Sequence, residues 1–172
     1  MIREALLVAL MGCAAPTYTA VTPAAPSLTA RDARERMSAV NGLDVPGVFR
    51  ERERLRAMAR DDASPEVRAA AIANLAYVAG DVDSVPALIG ALASEQDPTV
   101  QPRLFAAIAR FRTAEGVDAL VQRYLDGGLV PAREADLARA LAGLSDADVK
   151  ASIDRHRARS PERAALLEAE AL

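Results

Sequence analysis

The chain has 172 residues, a length typical of one domain, and 51% of them are hydrophobic although only 3% are aromatic. Alanine makes up much of that hydrophobic fraction, which favours helices that can approach one another closely. The net charge of −3 argues against nonspecific binding to nucleic acid, and the single cysteine and single histidine exclude an intramolecular disulfide and any metal site with several such ligands.

The first residues carry the features of an export signal. Arg3 precedes an apolar run from Ala5 to Met11, which is far shorter than the roughly 20 residues that span a bilayer but fits the core of a signal peptide. Leu10-Met11-Gly12-Cys13 resembles the lipobox of bacterial lipoproteins. The resemblance implies a signal peptide over residues 1–12 and lipid attachment to Cys13. The alternative is a frayed helix with an ordinary cysteine.

A linker is predicted to follow, over residues 13–29. Residues 14–30 contain three prolines and four threonines, with no charge and no helical periodicity, so we expect an extended tether. A multiply acylated cysteine binds a membrane stably. Ala14 gives no inner-membrane retention signal of the Asp type known in enteric bacteria, so the lipoprotein resemblance implies the outer membrane of the cell envelope.

The next segment predicts two helices that form an incomplete first unit. The first runs from about residue 30 to 41 and stops at Asn41-Gly42. The second lies in VPGVFRERERLRAMARD, where residues 49–60 alternate arginine with glutamate. This alternation indicates either a salt-bridged, solvated helix face or a contact surface.

Helix starts then recur at nearly constant spacing. In DDASPEVRAAAIANL (residues 61–75), Ser64 is a good N-cap and Pro65 suits the first helical position. Further Pro residues follow at 98, 131 and 161, at intervals of 33, 33 and 30 residues. Such a period is the signature of a repeat. Pro102 lies one turn beyond Pro98 and predicts a kink in that helix.

Apolar positions repeat in the same register. The sixth residue after each of these prolines is Ala71, Leu104, Leu137 and Leu167, and the tenth after the first three is Leu75, Ile108 and Leu141. A spacing of four places the two sets on one helix face and predicts the core. A second helix is expected in each unit, with Leu88 and Leu120 in register. Ser145 and Asp148 predict a capping box before another.

The motif D-x-S-P-E-V-R, followed by an Ala-rich helix, Gly-Asp and V-P-A-L-I-x-A-L, closely resembles the HEAT-like repeat family, most strongly over residues 61–126. The resemblance implies an all-α fold, a short right-handed α-solenoid of about four helix–turn–helix repeats, often used to bind protein partners. The predicted domain covers residues 30–172. Its units lie near 30–60, 64–94, 97–127 and 131–159, followed by a capping helix at 161–172.

No arrangement of residues predicts catalysis, a cofactor or a metal. His156 lies among arginines and is expected to be solvated on the outer face of its helix. Gly127-Gly128 predicts a turn between helices, and the sequence contains no phosphate-binding loop. We therefore expect no catalytic residue, no cofactor, no metal, no small-molecule substrate and no nucleic acid partner.

A basic contact surface on the second helices is a hypothesis that the arginines support. Its members are Arg52, Arg56, Arg123, Arg155 and Arg159. We expect a monomeric, membrane-anchored scaffold that binds an unidentified protein through the solenoid. Two alternatives remain: a cytosolic HEAT-like accessory factor for an enzyme or complex, and a HEAT-like enzyme that acts on nucleic acid.

Overall fold

The computed structural model describes residues 27–78 and 81–171, and the predicted signal peptide, Cys13 and most of the predicted tether lie outside these ranges. The described residues form nine α-helices and two 3₁₀ turns, Val82–Ser84 and Arg157–Arg159, with no β-strand. In chain order the helices are α1 (Ala33–Asn41), α2 (Val45–Asp61), α3 (Pro65–Tyr77), α4 (Val85–Ser94), α5 (Gln101–Phe111), α6 (Ala114–Asp126), α7 (Pro131–Ala142), α8 (Asp146–His156) and α9 (Pro161–Ala171).

The helices form two layers. The odd-numbered helices contact one another in sequence from α1 to α9 and make the first layer. The even-numbered helices α2, α4, α6 and α8 do the same and make the second layer. Because each helix contacts its counterparts in adjacent units, the chain is an all-α solenoid of helix hairpins, as the repeat predicted.

Three of the four predicted helix starts are confirmed. Pro65, Pro131 and Pro161 are each the first residue of a helix, where the missing N–H of proline costs nothing. Ser64 caps α3, because its Oγ accepts a hydrogen bond from the Val67 amide at 3.3 Å.

The start at Pro98 is wrong, and so is the kink at Pro102. Pro98 lies in a turn, where Asp97 Oδ1 accepts hydrogen bonds from the Thr99 amide at 2.8 Å and the Thr99 hydroxyl at 2.6 Å. Helix α5 begins only at Gln101, so Pro102 occupies its second position. A proline in the first turn removes no intrahelical hydrogen bond. Pro102 therefore lies at the start of α5 and does not kink the helix.

Two other local predictions need correction. Ser145 precedes α8 but makes no side-chain capping bond, so the capping box is not formed. The first helix begins at Ala33 and not near residue 30, since Asp32 caps it by accepting from the amides of Arg34 and Glu35 at 2.7 and 3.2 Å. Upstream of that cap, Leu28 packs against the core, although the sequence assigned it to the tether.

The hydrophobic core runs through the stacked units without a break. Both predicted sets of apolar positions are buried, including Leu104 and Leu137, which are 0% exposed. The second layer contributes Leu55, Leu88 and Leu120 at equivalent places, each also 0% exposed. No unit buries its apolar stripe alone, so the neighbouring units complete each part of the core.

Candidate interaction surfaces

The five arginines of the predicted basic surface lie on the second layer but do not form one strip. Arg52 and Arg56 belong to α2, Arg123 to α6 and Arg155 to α8, while Arg159 follows in the 3₁₀ turn. Between α2 and α6 lies α4, whose sequence VPALIGALAS has no charged residue. The basic surface is therefore interrupted at the second unit.

Arg56 is a structural residue, which corrects its predicted place on an exposed surface. Its side chain is only 13% exposed. Its Nη2 donates to both carboxylate oxygens of Asp81 at 3.1 and 3.0 Å, and its Nε donates to Ser84 Oγ at 2.9 Å. Arg56 thus ties α2 to the start of α4 in the next unit.

Arg155 and His156 also take part in a contact between units. Asp118 on α6 accepts hydrogen bonds from Ser152 Oγ at 2.5 Å and from Arg155 Nη2 at 2.6 Å. Burial by itself raises the pKa of Asp118, but these two hydrogen bonds outweigh it, so the pKa lies below its ordinary value. The network holds α6 and α8 together.

His156 is not the solvated residue that the sequence predicted. Its side chain is 18% exposed, and its Nε2 lies 3.7 Å from Asp118 Oδ1. Gln122 Nε2 lies 3.1 Å from the same nitrogen. The prediction failed because α8 packs against α6 and covers the histidine, which the flanking arginines do not reveal.

Three members of the predicted surface keep solvent-exposed side chains. Arg155 is 51% exposed but pairs with Asp118. Arg52 is 48% exposed, with Glu53 at 4.0 Å, and Arg159 is exposed with no ion pair to another described residue. Arg123 instead donates to the carbonyl of Gly127 at 2.8 Å. Of the five predicted arginines, Arg52 and Arg159 are therefore the two that are exposed and have no close ion pair among the described residues.

Buried ion pairs that the sequence analysis missed connect the first helix of a unit to the end of its second helix. Arg36 of α1 makes two 2.8 Å hydrogen bonds to Asp62, and Arg68 of α3 bonds Glu95 at 2.7 and 2.8 Å. Both acids are the C-cap residues of second helices, α2 and α4. Their near-constant spacing of 33 residues, and that of 32 for the arginines, is the signal that could have found them.

One cleft lies at this edge of the solenoid, and most of its charged groups are held in ion pairs. Its volume is about 660 Å³, and Arg68, Glu95 and Asp62 line it together with the turn that contains Pro98. The ion pairs just described hold these charged groups. The cleft is accordingly a seam between units.

A groove between two first-layer helices, α3 and α5, is different in character. Its volume is about 280 Å³, and it is lined by Ile72, Ala73, Ala76, Arg103, Ala106, Ala107 and Arg110. Arg103 and Arg110 are exposed and make no ion pair or side-chain hydrogen bond with any residue of 27–78 or 81–171. We call this feature the α3–α5 groove.

The described ranges contain neither a candidate metal site nor a candidate membrane-spanning helix. No three or more His, Cys, Asp or Glu side chains there are grouped so that they could hold a metal ion. None of the helices in those ranges combines the length and the apolar character needed to cross a membrane.

The two layers of paired helices and their continuous core define an α-solenoid repeat protein. Comparison with family models gives the particular class: the model described as HEAT repeats matches residues 52–142. That range is more than half of the chain, and the chain belongs to this family. No curated protein and no solved structure matches the chain. HEAT repeats commonly serve as scaffolds for protein interaction and are generally not enzymes.

Proposed function

We propose that this protein is a lipid-anchored HEAT-repeat scaffold that binds a protein partner at the bacterial cell envelope, with the outer membrane as its site. The observation that carries the anchor is the position of the only cysteine in the sequence. Cys13 stands at the end of Leu-Met-Gly-Cys, the place where a lipobox requires it. The tether and the repeat domain follow it in the order expected of an anchored protein.

The length of the tether suits this role. Residues 14–26 separate Cys13 from the first described residue, Ser27. A fully extended chain of this length spans at most about 45 Å. The repeat domain can therefore stand clear of the lipid headgroups and remain accessible to a partner.

The chemistry of the repeat domain supports binding over catalysis. Two ion pairs that are well protected from solvent join helices of the array: Arg68 with Glu95 links α3 to the end of α4, and Arg56 with Asp81 links α2 to the start of α4. These groups are held by one another and stabilise the array. Of the second-layer arginines, Arg52 and Arg159 are retained as candidate contacts for the partner.

The anchor is tested by Cys13→Ser in the full-length chain, with Ala14→Ser as the matched control. Wild type and Ala14→Ser should partition into a detergent phase, and Cys13→Ser should move to the aqueous phase. Mass spectrometry should find wild type beginning at a lipidated Cys13. A wild-type protein that is aqueous and retains Met1 would refute the anchor and favour a cytosolic accessory factor.

The scaffold is tested by cross-linking tagged wild-type protein in intact cells and purifying it from membranes. A protein that is recovered with wild type in constant proportion, and that binds the purified chain directly, supports the proposal. A purified chain that binds no protein from the same membranes contradicts it.

A further inference from the structure

The α3–α5 groove has the shape of a site for another helix. Its floor is formed by the short side chains of Ala73, Ala76 and Ala106, with Ile72 and Ala107 beneath. Alanine does not fill the space between two packed helices, so an open channel remains along them. Small residues of this kind let the backbone of a further helix approach closely.

The charges beside the groove have no ionic partner among the residues that the structure describes. Helix α5 and the residue that follows it carry Arg103, Arg110 and Arg112, with no acidic residue, in a chain whose net charge is −3. None of the three makes an ion pair with another residue in the described ranges. Three other first-layer arginines, Arg36, Arg68 and Arg163, are paired with carboxylates.

Arg103 is also placed against the stability of its own helix. It lies in the first turn of α5, where the helix dipole disfavours a positive charge. Arg34, Arg133 and Arg163 lie in the same turn of α1, α7 and α9, but every other first-layer helix also has a glutamate there, which α5 lacks: Glu35, Glu66, Glu134 and Glu162. A residue choice that breaks a local rule without compensation inside the fold points to a role in binding.

We propose that the α3–α5 groove binds an acidic amphipathic helix of a protein partner. The bound helix presents small apolar residues to Ala73, Ala76 and Ala106, and two carboxylates to Arg103 and Arg110. These arginines are seven residues apart, so their places along α5 differ by about 10 Å at 1.5 Å per residue. Two acidic residues seven apart on a helix aligned with the groove match that spacing, and each arginine can make paired hydrogen bonds to one carboxylate.

The groove favours a protein helix over a polyanion. It offers two cations across an alanine-lined floor, whereas a nucleic acid or an anionic membrane requires many cations to release counterions or to bind headgroups. The negative net charge of the whole chain repels a densely charged polymer more strongly than a helix with two carboxylates. The inference rests on the proposed scaffold function and names its surface and its class of partner.

The test selects binders to detergent-solubilised, full-length protein from a displayed library of alanine-based helical peptides. The selected peptides should carry Asp or Glu at two positions seven residues apart. In fluorescence anisotropy, Arg103→Gln/Arg110→Gln should weaken their binding by about tenfold or more. The charge-matched variant Arg31→Gln/Arg50→Gln, at two exposed arginines outside the groove, should bind them as wild type does. Circular dichroism should show that both variants remain folded.

A charge reversal makes the assignment specific. Arg103→Glu/Arg110→Glu should lose the acidic peptide and gain affinity for the same peptide with Lys at the two acidic positions. A charge-independent effect on folding would not give this exchange.

Several outcomes would overturn the inference: selected peptides without acidic pairs, no selected peptide at all, or peptide binding that Arg103→Gln/Arg110→Gln leaves unchanged. The last would leave the scaffold function standing. Displacement of the peptide by duplex DNA or by phosphatidylglycerol vesicles would assign the groove to a polyanion. A dimer that Arg103→Glu/Arg110→Glu dissociates would assign it to a second copy of the chain.

Discussion

At the scale of single residues, the charges that the fold encloses are tolerated because each has a defined partner. Glu95 is 5% exposed and Arg68 is 14% exposed, yet they make two short hydrogen bonds. Glu95 Oε1 also accepts from the Asp97 amide at 2.8 Å. Removing one partner of such a pair leaves a charge in a poorly solvated place, which is more costly than breaking a pair on the surface.

The Glu95 carboxylate gives a pH-dependent prediction. Burial alone raises its pKa, but the hydrogen bonds from Arg68 and the backbone amides of Asp97 and Gln96, together with the positive charge of Arg68, outweigh burial, so the pKa lies below its ordinary value of 4.5. A lowered pKa stabilises the folded state above the ordinary value, and this contribution is lost as pH falls through the lowered pKa. Glu95→Gln should therefore cost about 1.5–3 kcal/mol at pH 7, and the difference from wild type should shrink below pH 4.5.

Urea unfolding at pH 7, 5 and 3.5 measures this difference. Glu51→Gln is the control, since Glu51 pairs with Arg54 on an exposed helix face. It should change the free energy of unfolding by under about 1 kcal/mol at pH 7. A difference between wild type and Glu95→Gln that is the same at pH 3.5 as at pH 7 would contradict the assignment.

At the scale of the helices, Ser64 and Ser145 each precede a helix, with different consequences. Ser64 Oγ accepts from the Val67 amide and donates to Glu66 at 2.6 Å. Ser145 stands at the equivalent place before α8 and makes no side-chain capping bond. The residue type is the same, so a comparison of the two isolates the value of the capping bond.

Ser64→Ala should lower the free energy of unfolding by about 1 kcal/mol, within a usual range of about 0.5–2 kcal/mol. Ser145→Ala should change it by much less, because no amide loses a side-chain acceptor. The urea midpoints of the two variants and wild type provide the measurement. Equal shifts would mean that Ser64 does not act as a cap.

At the scale of the whole molecule, stability depends on contact between units. Helix α5 contacts α3, α4, α6 and α7, so it joins both layers and both neighbouring units. At the end of the array, Arg163 of α9 donates to the Tyr124 carbonyl at 2.9 Å and to Glu134 at 2.7 Å. Burial first, and then the hydrogen bond to Glu170, raise the pKa of Tyr124 to about 12. These contacts close the core at the last repeat.

Leu104→Ala should destabilise the whole array. Leu104 lies in α5 and is 0% exposed, so truncation leaves a cavity and should cost about 2–5 kcal/mol. Total stability of a domain is typically about 5–15 kcal/mol, and the loss should be plain in urea. Because units are coupled to their neighbours, amide hydrogen exchange should quicken in α3 and α7 as well as in α5.

Arg52→Ala is the control for this prediction. Arg52 is 48% exposed and has only a distant ionic neighbour, so its removal should cost under about 1 kcal/mol. Equal shifts in the urea midpoint for the two variants would show that Leu104 is not part of a shared core.

The sequence by itself determined the class of fold and most of the core. The prolines at 65, 98, 131 and 161 and the apolar residues in register with them identify the repeat, because helix starts and helix faces depend on local, periodic patterns. The helix start at Pro98 is the exception, since α5 begins at Gln101. Leu-Met-Gly-Cys resembles a lipobox and is also a local pattern, so the anchor stays a prediction.

Only the tertiary structure decided which charged residues are structural and which face solvent. In the sequence, nothing distinguishes Arg56 and His156 from the exposed charged residues beside them. In the fold, however, they contact groups 25 to 38 positions away along the chain. The α3–α5 groove is the opposite case. The sequence does not single out Arg103 and Arg110, and only the packing of α3 beside α5 shows that they have no ionic partner among the described residues. Local patterns do not specify such pairings, because a side chain's partner depends on which helices the folded chain brings together.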